Sequence, residues 1–598
     1  MKPIKHLSSA RISGAVALAV FNLVATVTPA ATVNAIYNAA TDVPVTAGGY
    51  TATGNTVNFT LNYAPATGTD LMVVRNTVLA FISGTFDNLT NGQPVALSYG
   101  GVTYRFVANY YGGSGNDLVL IWASQRPFAW GANTYGQVSD GASVTKRLVP
   151  GPLTMSAVLA GKTVVAIAAG NSHNLVACSD GTLASWGWNY FGQLGDGTLT
   201  TRSTPMAVNT TEGASALYSK TVVGLAGGFH HSLALCSDGT VAAWGWNQSG
   251  QLGDNSTNTS LVPVAVNVAS GASALYGKTV VAITAGVSHS LALCSDGTVA
   301  GWGSVPQSPV PVAINTNMGV SALYGKTVVA IAAGSTHSLV LCSDGTVATW
   351  GSNGSGQLGD NTFTDRPVPV AVNTNAGVSA LYGKRVVAIA AGSSHSLALC
   401  SDGTVAAWGG NSYGQLGNNA YAPKQVPVAV NTNAGVSALY GKKVVAIAAG
   451  SSHSMALCLD GTLAAWGFDR DGELGDNTST FYRMVPVAVN RTALAASQCF
   501  ARIFSGSQAT HNLALVAAPS ASELTLCSAQ ALTNRSFQFT FTNTAGAFFG
   551  VVATTNPALP MSTWTPLDGL TEVSPGQFQF TDPQATNSPQ CFYRVRSP

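Results

Sequence analysis

One repeated unit constrains the fold of this 598-residue chain more than any other feature. The stretch GSTHSLVLCSDGTVATWG, residues 334–351, joins a histidine element to a Trp-Gly element, and each element occurs seven times. The histidines are spaced by 58, 58, 48, 58, 58 and 58 residues. They are His173, His231, His289, His337, His395, His453 and His511, and the tryptophans are Trp130, Trp186, Trp244, Trp302, Trp350, Trp408 and Trp466. A repeat of this period predicts one structural unit per copy.

The order of the two elements indicates how the units are arranged. The chain reaches Trp-Gly first, at Trp130, and the histidine element last, at His511, so neither end holds a complete unit. Joining the two ends completes a seventh unit. A ring of sheets gains from this arrangement because it removes an exposed edge, whereas an open solenoid has no need of complementary half-units. The sequence therefore predicts a closed ring of seven units.

Each unit is predicted to contain four strands. VVAIAAG at 328–334 is a continuous apolar run that predicts a strand buried on both faces, and HSLVLC follows as a second strand. An Asp-Gly turn leads into TVATW, and a Gly-rich loop at 351–361 precedes a strand of the VPVAV type. Four-stranded sheets in a ring are β-propeller blades. The predicted fold is all-β, a seven-bladed β-propeller flanked by small β-sandwich-like modules at both ends.

The repeated histidine and cysteine are interpreted as scaffold. His337 and Cys342 are five positions apart in a strand, so their side chains should point to opposite faces and should not share a metal ion. Val516 stands at the cysteine position of the last unit, and a zinc site needs three or four converging ligands. We therefore expect no metal and no cofactor. Cys527 and Cys591 form the candidate disulfide pair, and the sequence leaves open whether they are joined.

Residues 1–35 are interpreted as a signal peptide. A basic head precedes an apolar stretch at 14–27, and small residues suggest cleavage near Ala30 or Ala35. An uncleaved anchor is the alternative, but the stretch is shorter than the ~20 residues a membrane span needs, and Asn22 interrupts it. We expect a secreted or cell-surface protein with no membrane span after cleavage.

Three further domains follow the signal peptide. Residues 36–122 predict a small β module, 123–518 the propeller and 519–598 a C-terminal β-sandwich module. GGSGNDLVL at 112–120 matches a calcium-binding nonapeptide, but a single copy lacks a stacked neighbour and favours a hairpin turn. The acidic loop FDRDGELGDN at 468–477 does not fit the EF-hand spacing, and a polar blade loop is favoured there.

Composition and motifs argue against two functional classes. Charged residues make up 8% of the chain and the net charge is +2, with no basic run suited to nucleic acid. No paired carboxylates and no G-x-S-x-G elbow stand out, so we expect no catalysis. A polysaccharide-active propeller is one alternative, because catalytic residues that converge from different blades would be invisible in sequence.

The units GxxHSLALCSDGTVAAWGxNxxGQLG closely resemble the repeat of the regulator of chromosome condensation family. GQLG stands at 192–195, 250–253, 356–359 and 414–417, and the unit at Trp302 is about ten residues short and lacks it. The resemblance covers 123–518 and implies a seven-bladed propeller. In the family's eukaryotic founder the propeller is a guanine-nucleotide exchange factor that docks on chromatin. The family also includes secreted bacterial propellers that bind and inhibit another protein, and this composition resembles that branch more.

Candidate binding residues are those that depart from the repeat. The loop after Trp-Gly varies most, and equivalent loops of a ring should lie on one face, where aromatic residues would form an arc for a protein or glycan. These candidates are Tyr135, Trp188, Tyr190, Phe191, Trp246, Tyr413 and Phe468. Packing of these rings against neighbouring loops is the alternative. We expect a monomeric binding platform for an extracellular protein or glycan, with a GTPase exchange factor as the other alternative.

Overall fold

The computed structural model describes residues 31–141, 144–155, 158–520, 525–532, 536–557, 564–583, 585 and 591–596. The regular structure of these residues is built from β-strands. Within this described part, no helix is both long and apolar enough to cross a membrane.

The N-terminal module contains two sheets that share one core. Its strands are β1 (Thr32–Tyr37), β2 (Val45–Ala47), β3 (Thr56–Leu61), β4 (Leu71–Asn76), β5 (Pro94–Tyr99), β6 (Val102–Gly112) and β7 (Asp117–Trp122). Strands β1 and β3 pair in parallel, and the other sheet has the order β2-β4-β7-β6-β5. Trp122 is buried against Phe106, with ring centroids 5.6 Å apart. Within the GGSGNDLVL stretch, the residues between Gly112 and Asp117 form the hairpin turn that joins β6 to β7, as expected.

The first strand begins earlier than the sequence suggested. The predicted signal segment at 1–30 lies outside the described residues. Strand β1 already starts at Thr32, and both Ala35 and Tyr37 are core residues with 0% exposure. The module therefore begins within the range assigned to the signal peptide, because these buried side chains belong to its core.

The propeller consists of seven four-stranded sheets, which confirms the predicted fold. Blade one contains β10 (Val164–Ala169), β11 (His173–Cys178), β12 (Leu183–Gly187) and β13 (Arg202–Ala207). Blade two contains β14 (Val222–Gly227), β15 (His231–Cys236), β16 (Val241–Gly245) and β17 (Ser260–Ala265). Blade three contains β18 (Val280–Ala285), β19 (His289–Cys294), β20 (Val299–Ser304) and β21 (Gln307–Ala313). In each of these three blades the strands follow one another in chain order, from the central channel outward.

The remaining blades repeat this plan. Blade four contains β22 (Val328–Ala333), β23 (His337–Cys342), β24 (Val347–Gly351) and β25 (Arg366–Ala371). Blade five contains β26 (Val386–Ala391), β27 (His395–Cys400), β28 (Val405–Gly409) and β29 (Lys424–Ala429). Blade six contains β30 (Val444–Ala449), β31 (His453–Cys458), β32 (Leu463–Phe468) and β33 (Tyr482–Ala488).

Blade seven closes the ring with strands from both ends of the propeller. Its order is β34-β35-β8-β9, where β34 is Cys499–Phe504, β35 is His511–Ala517, β8 is Gln125–Ala132 and β9 is Lys146–Pro152. His511 lies opposite Gly131, and Asn512 lies opposite Trp130. The two incomplete units therefore form one shared sheet, as their order along the chain predicted.

The cores of the propeller lie between adjacent blades. In β23, Leu339 and Leu341 pack towards blade five, whereas Val340 and Cys342 pack towards blade three. His337 points towards blade five, where its Nε2 lies 3.1 Å from Ser396 Oγ. His337 and Cys342 thus face opposite sides as predicted, and burial raises the pKa of the Cys342 thiol to about 11.

The innermost strand of each blade is less buried than its apolar sequence suggested. Val329 is 36% exposed, and Ala330 and Ile331 are half-buried. The expectation of burial on both faces was wrong here because this strand borders the central channel, which Ile331 and Ala332 help to line.

The C-terminal module contains two further sheets around an aromatic core. Its strands are β36 (Thr525–Ala531), β37 (Phe537–Thr542), β38 (Gly550–Thr554), β39 (Thr565–Leu567), β40 (Leu570–Ser574), β41 (Gln577–Asp582) and β42 (Phe592–Arg596). The sheet orders are β36-β37-β41-β40 and β39-β38-β42, and Phe541 packs with Phe578 and Val551 in their shared core. Cys527 lies in the first sheet, Cys591 precedes β42 of the second, and no disulfide joins the two. The candidate bridge is therefore not present in the structure.

Both flanking modules pack on the same end of the propeller, here called the module face, which carries the Asp-Gly hairpin turns. In the N-terminal module, Trp122 Nε1 donates to Ala518 O at 2.8 Å, and Arg502 of blade seven forms an ion pair with Asp70 at 2.5 Å. In the C-terminal module, the carbonyls of Ala545 and Gly546 accept hydrogen bonds of 2.7 Å from side chains that precede β34. The opposite end, here called the loop face, carries the loops after Trp-Gly.

Candidate functional site

The loops after Trp-Gly are held rigidly by their own side chains. In blade one, Asn189 Oδ1 accepts a hydrogen bond from Leu194 N at 2.9 Å, and its Nδ2 donates to Thr198 O at 3.0 Å. Gln193 Oε1 accepts from Phe191 N at 3.0 Å. The Trp-Gly glycine that starts the loop needs its positive φ, as at Gly351 with φ 103, where a Cβ would lie 2.3 Å from Thr336 O. Side chains on these loops therefore project from a fixed backbone.

The same loops connect each blade to the next. The carbonyl oxygen of Gln193 accepts a hydrogen bond from Trp244 Nε1 at 2.9 Å and one from Ser232 Oγ at 2.8 Å, both in blade two. Ser232 Oγ also lies 3.0 Å from His173 Nε2. We call this shared carbonyl acceptor the carbonyl latch. It satisfies the buried indole N–H and hydroxyl of the next blade, groups that would otherwise cost free energy.

A carbonyl latch is present at six of the seven joints between blades in the described residues. The accepting residues are Gln137, Gln193, Gln251, Gln357, Gln415 and Glu473. On either side of the closing blade an asparagine replaces the serine. Asn174 Nδ2 donates to Gln137 O at 2.8 Å, and Asn512 Nδ2 donates to Glu473 O at 2.7 Å.

The joint between blades three and four lacks the latch. Blade three has the shortened loop, so no Gly-Gln-Leu-Gly carbonyl reaches blade four. Trp350 Nε1 is buried and has no hydrogen-bond partner among the described residues. Ser338 Oγ retains its contact with His289 Nε2 at 3.2 Å. The missing ten residues therefore leave one buried N–H unsatisfied.

The repeated histidines are buried and neutral. Burial lowers the pKa of His337 and of His395 to about 3, because a charged imidazole would be desolvated. The imidazole of His337 requires a glycine three positions earlier in the chain, because a Cβ at Gly334 would lie 2.1 Å from His337 Cε1. These histidines are structural parts of the joints.

Five of the predicted aromatic residues form one cluster with two further rings on the loop face. Trp188 stacks on Tyr135 of blade seven at 5.2 Å and lies 4.6 Å from the ring of His230 in blade two. Phe191 lies 4.9 Å from His230 and 5.9 Å from Trp246, by ring centroids. We call this cluster patch one; its members are Tyr135, Trp188, Tyr190, Phe191, Phe229, His230 and Trp246. It crosses blades seven, one and two.

The other two predicted residues form a second cluster on blades five and six. The rings of Tyr413 and Phe468 are 4.9 Å apart, and Phe481 lies 5.4 Å from Phe468. We call this cluster patch two; its members are Tyr413, Tyr421, Phe468, Phe481 and Tyr482.

The predicted single arc is thus divided into two patches. In both patches, the ring five positions after the repeat tryptophan of one blade packs on the ring two positions after the repeat tryptophan of the next blade. Tyr413 and Phe468 form such a pair. Blade six has Asp471 and blade seven has Ala132 at these positions, which separates the patches. The alternative that these rings pack against neighbouring loops also occurs in the structure. Tyr190 nevertheless stays 66% exposed and Phe481 53% exposed, so both patches present rings to solvent.

Sequence reasoning missed residues outside the Trp-Gly loop. Phe229 and His230 precede a repeat histidine at positions where the other blades have smaller, non-aromatic residues, and burial lowers the pKa of His230 to about 4. The latch residues were also missed. Their signal is the serine or asparagine after each repeat histidine and the glutamine or glutamate within most of the loops that follow Trp-Gly.

The central channel does not present a catalytic cluster in the described residues. A cavity of about 260 Å³ is lined mostly by alanine, isoleucine and other small or aliphatic residues, with Phe504 as an aromatic member and Thr284, Ser505 and Ser507 as polar members. At the loop face, Gln508 of blade seven reaches Ser335 of blade four, with Nε2 and Oγ 2.9 Å apart. This glutamine lies across the channel mouth.

Blade six differs chemically from the other blades. Asp469 and Glu473 replace the asparagine and glutamine found in most other loops, and both are fully buried. Burial raises the pKa of Asp469 to about 6 and that of Glu473 to about 8. Asp469 accepts hydrogen bonds from Leu474 N and Thr478 Oγ1 within the loop. The acidic stretch at 468–477 is therefore a blade loop.

The family model of the RCC1-like domain matches residues 126–512. The Ultraviolet-B receptor UVR8 of Arabidopsis thaliana is 30% identical over 348 residues, which are 58% of this chain and 62% of the receptor. The E3 ubiquitin-protein ligase HERC2 of Homo sapiens is 31% identical over an alignment of 405 residues, and the match covers 64% of this chain and 8% of the ligase. This chain therefore spans less than two thirds of either relative.

Two solved structures share the fold. Prp20p from Saccharomyces cerevisiae has a TM-score of 0.55 and 23% identity, and the match covers 66% of this chain and 92% of Prp20p. Human WBSCR16 has a TM-score of 0.53 and 21% identity, with 66% of this chain and 99% of WBSCR16 covered. Because the family match runs from β8 to β35, through all seven blades, this chain belongs to the RCC1-like domain family.

Proposed function

We propose that the propeller is a monomeric binding platform, exported or held at the cell surface, that engages a protein or glycan through the aromatic patches of its loop face. The observation that carries this proposal is the difference between the two ends of the propeller. Both flanking modules occupy the module face, and patch one and patch two lie on the face they leave open. Family membership supports a binding or regulatory role for such a propeller.

The chemistry of the patches suits flat, partly apolar partners. Tyr190 and Phe481 expose more than half of their surface, while Trp188 and Phe468 beneath them are half-buried and fixed by ring contacts. Rigid aromatic side chains lose little conformational entropy on binding, and exposed aromatic clusters commonly mark interaction sites. The aliphatic lining of the channel gives no support to a polysaccharide-cleaving site there.

The test compares the loop face with the rim of the ring. Trp188, Tyr190 and Trp246 are changed together to alanine in the full chain, and capture of partners from the extracellular fraction is measured. The matched control replaces Tyr276, Tyr382 and Tyr440, three exposed rings of the conserved unit pattern, with alanine. We expect the patch variant to lose the captured species and the rim variant to retain it. Equal capture by both would contradict the proposal.

Two further measurements address misfolding and location. Tyr190→Ser removes the most exposed ring of patch one without emptying a buried position, so it should weaken capture while the melting temperature stays unchanged. Recovery of the chain in the cytosol with residues 1–30 retained would contradict export. Stimulated nucleotide exchange on a small GTPase would instead favour the exchange-factor alternative.

A further inference from the structure

A small cavity on the loop face contains a buried carboxyl group that the fold does not use fully. It has a volume of about 220 Å³ and lies where the loops of blades five, six and seven meet. Its lining includes Tyr413, Ser451, Ser452, Phe468, Glu473 and Thr510. Glu473 is the carboxyl group, and none of the described residues that line the cavity is a lysine or an arginine.

Glu473 occupies a position whose structural role is known from the other blades. Its Oε2 accepts a hydrogen bond from Asp471 N at 2.8 Å, as Gln415 Oε1 accepts from Tyr413 N at 2.9 Å in blade five. Its backbone carbonyl is the latch for Trp130. Glutamine performs both tasks in the other latched loops, so neither explains a glutamate.

The presence of glutamate instead of glutamine at this position changes the second polar atom of the side chain. Glu473 Oε1 is buried and has no hydrogen-bond partner in the structure. The corresponding atom in Gln193 and Gln251 is the amide Nε2, which is a donor. Glu473 lines the cavity, so its side chain brings a second carboxyl oxygen to the cavity wall where the repeat would bring an amide nitrogen.

The walls of the cavity add to the preference for a cation. The rings of Tyr413 and Phe468 lie 4.9 Å apart and have faces of negative electrostatic potential, which attract ammonium groups. Ser451, Ser452 and Thr510 supply hydroxyl oxygens that can accept further N–H bonds. A metal ion is less suited, because the described residues contain no group of three or more His, Cys, Asp or Glu side chains that could hold one.

We propose that this cavity binds a primary alkylammonium group, with the Glu473 carboxylate as its counter-ion and Tyr413 and Phe468 as its aromatic walls. The group could be the side chain of a lysine on a protein or a free small amine, and both present the same R–NH₃⁺ chemistry. The proposal depends on the cavity alone and does not require patch one to bind a macromolecule.

The test uses the full chain and two pairs of probes in ligand-observed NMR titrations. n-Butylammonium is compared with n-butanol, and Nα-acetyl-lysine methylamide with its Nε-acetylated form. We expect the amines to bind and their neutral counterparts not to bind. Binding of only the lysine derivative assigns the cavity to a protein lysine, and binding of only n-butylammonium assigns it to a free amine. Equal binding of n-butanol, or no binding by either amine, would overturn the proposal.

The decisive variant is Glu473→Gln, because it restores the residue that the repeat uses elsewhere and should keep the fold intact. We expect the dissociation constant for the amine to rise at least about tenfold, as a charged hydrogen bond of at least 1.4 kcal/mol is lost. Phe468→Leu should weaken binding by a smaller factor. Asp471→Asn removes one negative charge from the same loop outside the cavity, and at pH 9, where Glu473 is ionised in both proteins, it should change affinity little. Retention of full affinity by Glu473→Gln would overturn the proposal.

The pH dependence gives an independent readout. Burial raises the pKa of Glu473 to about 8, and the neighbouring Asp469 and Asp471 contribute in the same direction. His453, which faces the cavity from blade six, has its pKa lowered to about 4 by burial and stays neutral. Affinity for the amine should therefore rise from pH 6 to pH 8 in the wild type and stay flat in Glu473→Gln. The same rise in both proteins would overturn the assignment to Glu473.

Discussion

The joint between blades four and five and the joint between blades three and four use the same side chains and differ in one loop. In the first, Trp408 Nε1 donates to Gln357 O at 2.9 Å, and Ser396 Oγ donates to the same oxygen. In the second, Trp350 Nε1 has no hydrogen-bond partner within the part of the chain that the structure describes. Both tryptophans are nonetheless buried in equivalent cores. Apolar packing therefore suffices to build a joint, and the carbonyl latch satisfies its polar groups.

The largest expected effect is acid unfolding, which should act on both kinds of joint. Burial lowers the pKa of all seven repeat histidines to about 3 or 4. Since their folded pKa values lie below 6.5, the unfolded chain binds more protons as the pH falls, and each histidine removes about 1.4 kcal/mol of stability per pH unit below 6.5. Asp469 and Glu473 have raised pKa values, so their protonation stabilises the folded chain as the pH falls. These two groups oppose seven histidines, and the net effect of acid is therefore destabilising.

Thermal unfolding followed by circular dichroism from pH 7.5 to pH 4.5 measures this effect. We expect the melting temperature to change little above pH 6.5 and to fall steeply below it. Hydrogen exchange should show the joint at Trp350 opening first, since it lacks the latch. A melting temperature that stays constant down to pH 4.5 would show that the histidines remain neutral in the unfolded chain or charge without cost in the folded one.

An intermediate effect is expected from restoring the missing loop. Replacing residues 304–307 with the sequence of residues 352–365 lengthens blade three by ten residues and supplies a Gly-Gln-Leu-Gly carbonyl. We expect the free energy of unfolding to rise by about 2 kcal/mol, because the indole N–H of Trp350 and the hydroxyl of Ser338 gain an acceptor. Denaturant titration of the graft and the wild type checks this. A graft with serine in place of each loop glycine, which cannot adopt the turn, should give no gain.

The smallest effect comes from removing one indole N–H at each joint. Trp408→Phe loses packing and a hydrogen bond, whereas Trp350→Phe loses similar packing but no hydrogen bond. We expect Trp408→Phe to be the more destabilising by about 1 kcal/mol in denaturant titrations. Equal losses would mean that the indole of Trp350 finds an acceptor in solution, and the contrast between the joints would then disappear.

Much of the ring could be predicted from the sequence because the signals are local and repeated. Strand alternation placed His337 and Cys342 on opposite faces, and the half-units at Trp130 and His511 predicted the closing blade. The burial of Ile331 was overpredicted because a run of apolar residues looks the same beside a core and beside a channel. The candidate loop residues were found, but their separation into two patches depends on ring contacts between blades.

The sequence by itself determined the number of blades, their strands and the way the ends meet, since these follow from periodicity and chain order. Only the tertiary structure decided which face stays open, where the rings cluster, which indole lacks an acceptor and which glutamate oxygen lacks a donor. The physical reason is that these properties arise where different blades meet, between residues such as Asn512 and Glu473 that are 39 positions apart, or His511 and Asn174 that are 337 apart. The spacing of residues along the chain therefore predicts each blade, whereas the candidate site depends on contacts across the joints between blades.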